Sequence, residues 1–218
     1  MDTLRILFED EHLIAINKKA GISVIPAHFV KREDTLIHFV EQYTKNKVFV
    51  VHRLDKETSG VLVFAKDHQT HRLLSLQFEQ RQIKKEYLAV AIGRMKKDLT
   101  IEKPLRQFGS GRMGVDERGK AAVTKLAVLE YLRETTLVRL IPLTGRRHQL
   151  RVHLYWTGHP LIGDPLYGSA LPVGGISRLM LHAERICFRH IDGTIREIRA
   201  ETDCEWNSII ERFREKIF

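Results

Sequence analysis

The sequence predicts an α+β fold built on a mixed, mostly antiparallel β-sheet flanked by helices, and three observations lead there. Short β-branched apolar runs bounded by turn residues, such as 48–51 and 61–65, read as buried strands. The stretches 36–43 and 73–78 instead space their apolar residues at a helical period. Strand and helix do not alternate regularly along the chain, which favours strands paired with sequence neighbours over a parallel, doubly wound sheet.

Taken in order, residues 4–8 and 12–17 flank the acidic turn Glu9-Asp10-Glu11 and form a hairpin, closed by Lys18-Lys19-Ala20-Gly21. Residues 22–26 are extended. Asp34 or Thr35 caps a helix running to about Asn46, with Leu36, Ile37, Phe39, Val40 and Tyr43 at helical spacing. A strand, a polar loop around Asp55 and a second strand follow. Asp67 caps the next helix, which carries Leu73, Leu74, Leu76 and Phe78, and the basic stretch 81–85 suits its C-terminal end. Residues 86–92 form a strand. The segment 93–118 shows the least pattern and is rich in glycine and basic residues. Residues 122–131 and 136–143 form an antiparallel pair, and Thr144-Gly145 leads into a helix over 146–156. After the turn-rich stretch 158–168, residues 179–188 and 195–200 read as strands. An amphipathic helix over 206–217 closes the chain, with Ile209, Ile210, Phe213 and Ile217 facing inward. No linker or internal repeat interrupts the chain, so one domain over 1–218 is the simplest account.

The chain has 218 residues, 43% of them hydrophobic, enough for a sizeable core. Its formal net charge is +9 and its pI about 9.7. Such a surplus attracts polyanions, nucleic acid first. No apolar run approaches the roughly 18 residues that would span a bilayer, and Met1-Asp2-Thr3-Leu4-Arg5 has no signal-peptide pattern. A membrane role is not expected and a cytoplasmic location is. Cys187 and Cys204 form no spaced framework and are expected to be reduced packing residues.

Several motifs fall away on context. Gly109-Ser110-Gly111-Arg112-Met113-Gly114 fits a dinucleotide fingerprint but lacks the strand before it and the helix after it. Gly114–Lys120 nearly completes a phosphate loop, yet Ala121 stands where a hydroxyl should hold Mg²⁺, so a basic hairpin loop is expected. His148 and His153, five apart, miss a common helix face, and His68 and His71 lack a third ligand, so no metal is expected.

Three stretches resist a bland reading. In Val51-His52-Arg53-Leu54-Asp55-Lys56-Glu57-Thr58-Ser59-Gly60, cations bracket one carboxylate on a loop between strands, where chemistry is commonly placed. In Arg146-Arg147-His148-Gln149-Leu150-Arg151, a helix would put Arg147 and Arg151 on one face, where like charges call for an anion opposite. In Lys84-Lys85-Glu86-Tyr87, an aromatic beside two lysines is suited to stacking an extruded base.

These stretches, in their order, resemble the RluA-type pseudouridine synthases. The resemblance also takes in 10–18, Gly119-Lys120-Ala121-Ala122-Val123-Thr124, Gly158-His159-Pro160-Leu161-Ile162-Gly163-Asp164, Tyr167-Gly168 and Leu181-His182-Ala183. It implies the pseudouridine synthase fold with a central catalytic cleft, and no cofactor. Carried over by position, it implies Asp55 as nucleophile, Arg151 as its ion-pair partner and Tyr87 stacked on the uracil. Arg53 would enter the RNA where the uridine has left, and Leu181 would close the pocket floor. His52 and Arg147 would meet RNA. The implied partner is RNA, tRNA and/or 23S-type rRNA, met by a monomer. Many relatives open with a small S4-like RNA-binding domain; here the resemblance begins within the first ten residues, so a stand-alone catalytic domain is expected. A non-catalytic RNA-binding module and a base-removing glycosylase are the alternatives.

Overall fold

The computed structural model describes residues 4–27, 29–168 and 173–214. In chain order the strands are β1 (Ile6–Glu9), β2 (Leu13–Lys18), β3 (Phe49–Val50), β4 (Ser59–Ala65), β5 (Lys84–Ile92), β6 (Leu99–Glu102), β7 (Leu105–Gln107), β8 (Met113–Val115), β9 (Val123–Tyr131), β10 (Thr135–Pro142), β11 (Leu181–Arg189) and β12 (Ile195–Arg199). The helices are α1 (Leu36–Thr44), α2 (His68–Glu79), α3 (Gln149–Trp156) and α4 (Cys204–Arg214). The mostly antiparallel α+β architecture expected from the sequence is the one observed. The chain divides into two compact units, one holding residues up to Lys85 with Ala183–Glu201, the other Glu86–His182 with the residues from Thr202 on.

In the first unit, Asp10 makes the β1–β2 turn by accepting the N–H groups of His12 and Leu13, both at 2.9 Å. β2 pairs antiparallel with β4 from Leu13 opposite Ala65 to Lys18 opposite Gly60. β3 also pairs with β4, and β12 with β11. Every residue of β4 is buried, which is why Val61–Ala65 reads as a continuous apolar run rather than an alternating one. Gly60 sits at φ +111°, and a Cβ there would lie 2.2 Å from the Ala183 carbonyl oxygen, so only glycine allows that approach. α2 is capped as expected, Asp67 accepting the Thr70 N–H at 2.7 Å. The buried Gln77 of α2 clasps the end of β11, donating to the Arg189 carbonyl and accepting its N–H. Thr35 does precede α1, but its hydroxyl donates to the Arg32 carbonyl instead of capping the helix.

The second unit carries the antiparallel order β5-β10-β9-β6 and a separate β7–β8 hairpin. Its core joins Ala89, Val138, Leu140, Leu150, Leu154 and Leu181, with a second cluster where Trp206, Ile209 and Ile210 of α4 meet Val90, Ile162 and Met180. Phe213 packs against that second cluster as expected, while Ile217 lies outside the described residues.

Three expectations are corrected here. The unpatterned segment 93–118 holds three strands, β6 to β8, each too short to show a period-2 signal. Cys204 is exposed at the start of α4 rather than packed. The helix expected from Arg146 begins only at Gln149, because His148 adopts a left-handed conformation at φ 54°. Arg147 therefore lies in the preceding turn, and it does not share a helix face with Arg151. Gln149 organises that turn: its side-chain Oε1 accepts from Thr144 Oγ1 and the Arg146 N–H, and its Nε2 donates to the Val123 carbonyl and Thr124 Oγ1.

Candidate active site

The first unit fixes the loop around Asp55 from both sides. Leu54 points inward at 8% exposure, and Thr58 and Ser59 are buried where β4 starts. The Thr58 N–H donates to the Asp55 carbonyl at 3.1 Å, closing a tight turn. The next carbonyl, that of Lys56, accepts both the Gly21 N–H (2.9 Å) and Lys18 Nζ (2.8 Å). Lys18 is 1% exposed and spreads three donors over the carbonyls of Lys19, Ile22 and Lys56. Burial lowers its pKa to about 7, against the opposing pull of the Glu57 and Asp55 carboxylates. Asp55 is thus half-buried on a backbone pinned by hydrogen bonds, with Arg53 and Lys56 exposed on either side of it.

His52 has its ring committed to this unit. Its Nε2 accepts the Val63 N–H at 3.1 Å, and the ring stacks on Phe78 at 4.8 Å. Burial, with a further push from the Lys85 ammonium, lowers its pKa to about 3, so it is neutral at physiological pH. Its structural task ties the loop to β4 and α2. His68 and His71 lie against the Phe49 ring at 4.4 and 5.4 Å.

The second unit carries the other expected residues. Tyr87 is half-buried on β5, opposite Leu140 of β10, and packs on the cluster that holds Leu181. Leu181 is 3% exposed, at the first position of β11. Arg147 is exposed in the turn before α3. Arg151, in the first turn of α3, is buried, and its Nε and Nη2 donate to Asp164 Oδ2 and Oδ1 at 2.8 and 2.7 Å. The Tyr167 ring lies 5.2 Å from that guanidinium and 4.9 Å from that of Arg112. Burial pushes the Asp164 carboxyl up, but the Arg151 guanidinium and the N–H groups of Tyr167 and Leu166 outweigh it and hold it below the usual carboxylate range.

Residues 12–156 match the family described as RNA pseudouridylate synthase. The chain belongs to the RNA pseudouridylate synthase family. It is 40% identical over 200 residues to the ribosomal large subunit pseudouridine synthase D of Nitrosomonas europaea, covering 86% of this chain and 58% of that protein's length. It is 38% identical over 237 residues to the tRNA pseudouridine synthase C of Pasteurella multocida, covering 97% and 96%. Among solved structures, human RNA Pseudouridylate Synthase Domain Containing 4 superposes with a TM-score of 0.80 at 26% identity, covering 96% of this chain and 93% of that one. Membership in the RNA pseudouridylate synthase family supplies the reaction: the N1–C1′ bond of a uridine breaks, the same ring rejoins the sugar through C5, N1 gains a proton and C5 releases one.

Four further residues, Lys18 in the first unit and Gln149, Asp164 and Tyr167 in the second, hold their own surroundings through contacts that spacing in the sequence does not assign. Asp164 and Tyr167 stand inside recognised motifs without a task, Gln149 stands inside the arginine-rich stretch, and Lys18 stands inside a turn. Each acts through tertiary contacts, as with Gln149 reaching Val123 and Thr124, and spacing along the chain does not reveal such contacts.

Proposed function

We propose that this chain is an RluA-type enzyme that isomerises specific uridines of tRNA, large-subunit ribosomal RNA or both. The observation that carries the reading is the family match over residues 12–156, which spans Asp55, Tyr87 and Arg151 together. Asp55 is the nucleophile or the base toward the sugar, Arg151 sustains its negative charge, and Tyr87 lies under the target uracil. Arg53 fills the space that the extruded base leaves, offsetting part of an unstacking cost of a few kcal/mol. Leu181 closes the pocket floor, and Arg147 and the face of His52 meet RNA. One carboxylate suffices because the base must be recaptured, whereas glycoside hydrolysis uses a second carboxylate to activate water. No metal or organic cofactor enters these steps. The catalytic domain, 1–218, works as a cytoplasmic monomer; no helix among the described residues is long and apolar enough to cross a membrane.

RNA labelled with tritium at uracil C5 tests the reading. The wild-type protein releases tritium to water from tRNA or ribosomal RNA, and Asp55→Asn releases none. Absence of release from both RNAs, or undiminished release by Asp55→Asn, rules the reading out. Free uracil among the products would identify a glycosylase instead.

A further inference from the structure

Resting on the assignment of Arg151 to the reaction, we propose that Asp164 is a positioning residue, whose carboxylate grips one edge of the Arg151 guanidinium and so sets the direction in which the rest of that group donates. Both side chains are buried, at 3% exposure for Arg151 and 0% for Asp164. Taking such a pair out of water carries a heavy desolvation penalty, and apolar residues of similar volume stabilise a fold as well or better. A pair kept at this depth with two short parallel bonds points to a task in orientation.

Asp164 cannot turn. Its Oδ1 accepts Arg151 Nη2 and also the N–H groups of Leu166 and Tyr167, at 2.9 and 3.0 Å, while Oδ2 takes Arg151 Nε. The turn itself is fixed at Gly163, where φ is +67° and a Cβ would meet the Arg178 carbonyl oxygen at 1.8 Å. Tyr167 fixes the guanidinium on its face: the ring is 1% exposed, and its hydroxyl accepts the Met113 N–H at 3.1 Å and bonds His148 Nδ1 at 2.9 Å. Asp164 sets the rotation of the guanidinium within its plane and Tyr167 supports its face, so Arg151 is held rigidly before RNA arrives.

Asp164→Asn is the informative variant. The asparagine keeps Oδ1, and with it the bonds to Nη2, Leu166 and Tyr167, but sets an amide N–H against Arg151 Nε. The turn is retained and the guanidinium is displaced. Steady-state pseudouridine formation, RNA affinity, thermal unfolding and the NMR signal of the Arg151 Nε–H are compared with wild type. The expected result is a kcat lower by about 100-fold with KM and RNA Kd within about threefold. The Nε–H signal should move and lose its protection from solvent in a folded protein. Unchanged kcat, a rise in KM or Kd as large as the fall in kcat, or a variant that does not fold overturns the proposal; the last makes Asp164 a scaffold residue. If the wild-type protein forms no pseudouridine in any RNA, the parent reading fails. If the wild type is active and Asp164→Asn equals it, only the positioning role fails.

Discussion

His52 shows how much a single side chain beside the Asp55 loop is asked to do for the fold. Its folded pKa lies near 3 and its unfolded value near 6.5, so between these values the unfolded chain binds a proton that the folded chain refuses. The stability that neutral His52 contributes is therefore complete above about pH 6.5 and is lost as pH falls toward 3. His52→Gln, which keeps an acceptor for the Val63 N–H, removes this titration. In urea unfolding series from pH 7 to pH 4, the stability gap between wild type and His52→Gln should narrow as pH falls; a constant gap would exclude the effect. At this scale the sequence singles out Asp55, Tyr87 and Arg151 as candidates because unusual residue types stand in runs that resemble the family's. The anchoring role of His52 was not, since it depends on Phe78 and Val63, which the chain brings up from other elements.

Elements were legible where burial imposed a period and illegible where local polar bonding decided. β4 reads from its unbroken apolar run, and α2 from Asp67 and the leucines behind it. The start of α3 did not read correctly, because Gln149 trades helical continuity for four hydrogen bonds to the turn and to β9, and His148 turns left-handed to permit them. β7 and β8 carry no periodic signal because each is only three residues long. The junction of the Asp55 loop with β4 depends on Gly60. Gly60→Ala places a methyl group inside the Ala183 backbone and forces a positive φ on alanine, so it should destabilise the protein by on the order of 3 kcal/mol. Denaturant titration measures this, and a loss no larger than that of a surface Gly→Ala change would contradict the close approach.

For the whole molecule, the surplus of nine positive charges governs how RNA is met. Neutralising about six phosphates would cost about 10³-fold in RNA affinity between roughly 50 and 200 mM salt, with log K falling linearly in log salt concentration. An affinity indifferent to salt would contradict a basic RNA-binding face. The α+β class and the antiparallel pairing of sequence neighbours followed from composition and periodicity, whereas the division into two compact units left no linker or composition shift to read, since Ala183–Glu201 returns late in the chain to place β11 beside β4. The proposed function gives the conversion of particular uridines of cellular RNA to one carboxylate, Asp55. Pseudouridine mapping, site by site, in cells lacking this protein and in the same cells supplied with wild type or Asp55→Asn, tests it most directly. One or a few sites in tRNA or large-subunit ribosomal RNA should lose pseudouridine and regain it with wild type alone; an unchanged map, or restoration by Asp55→Asn, would contradict this assignment.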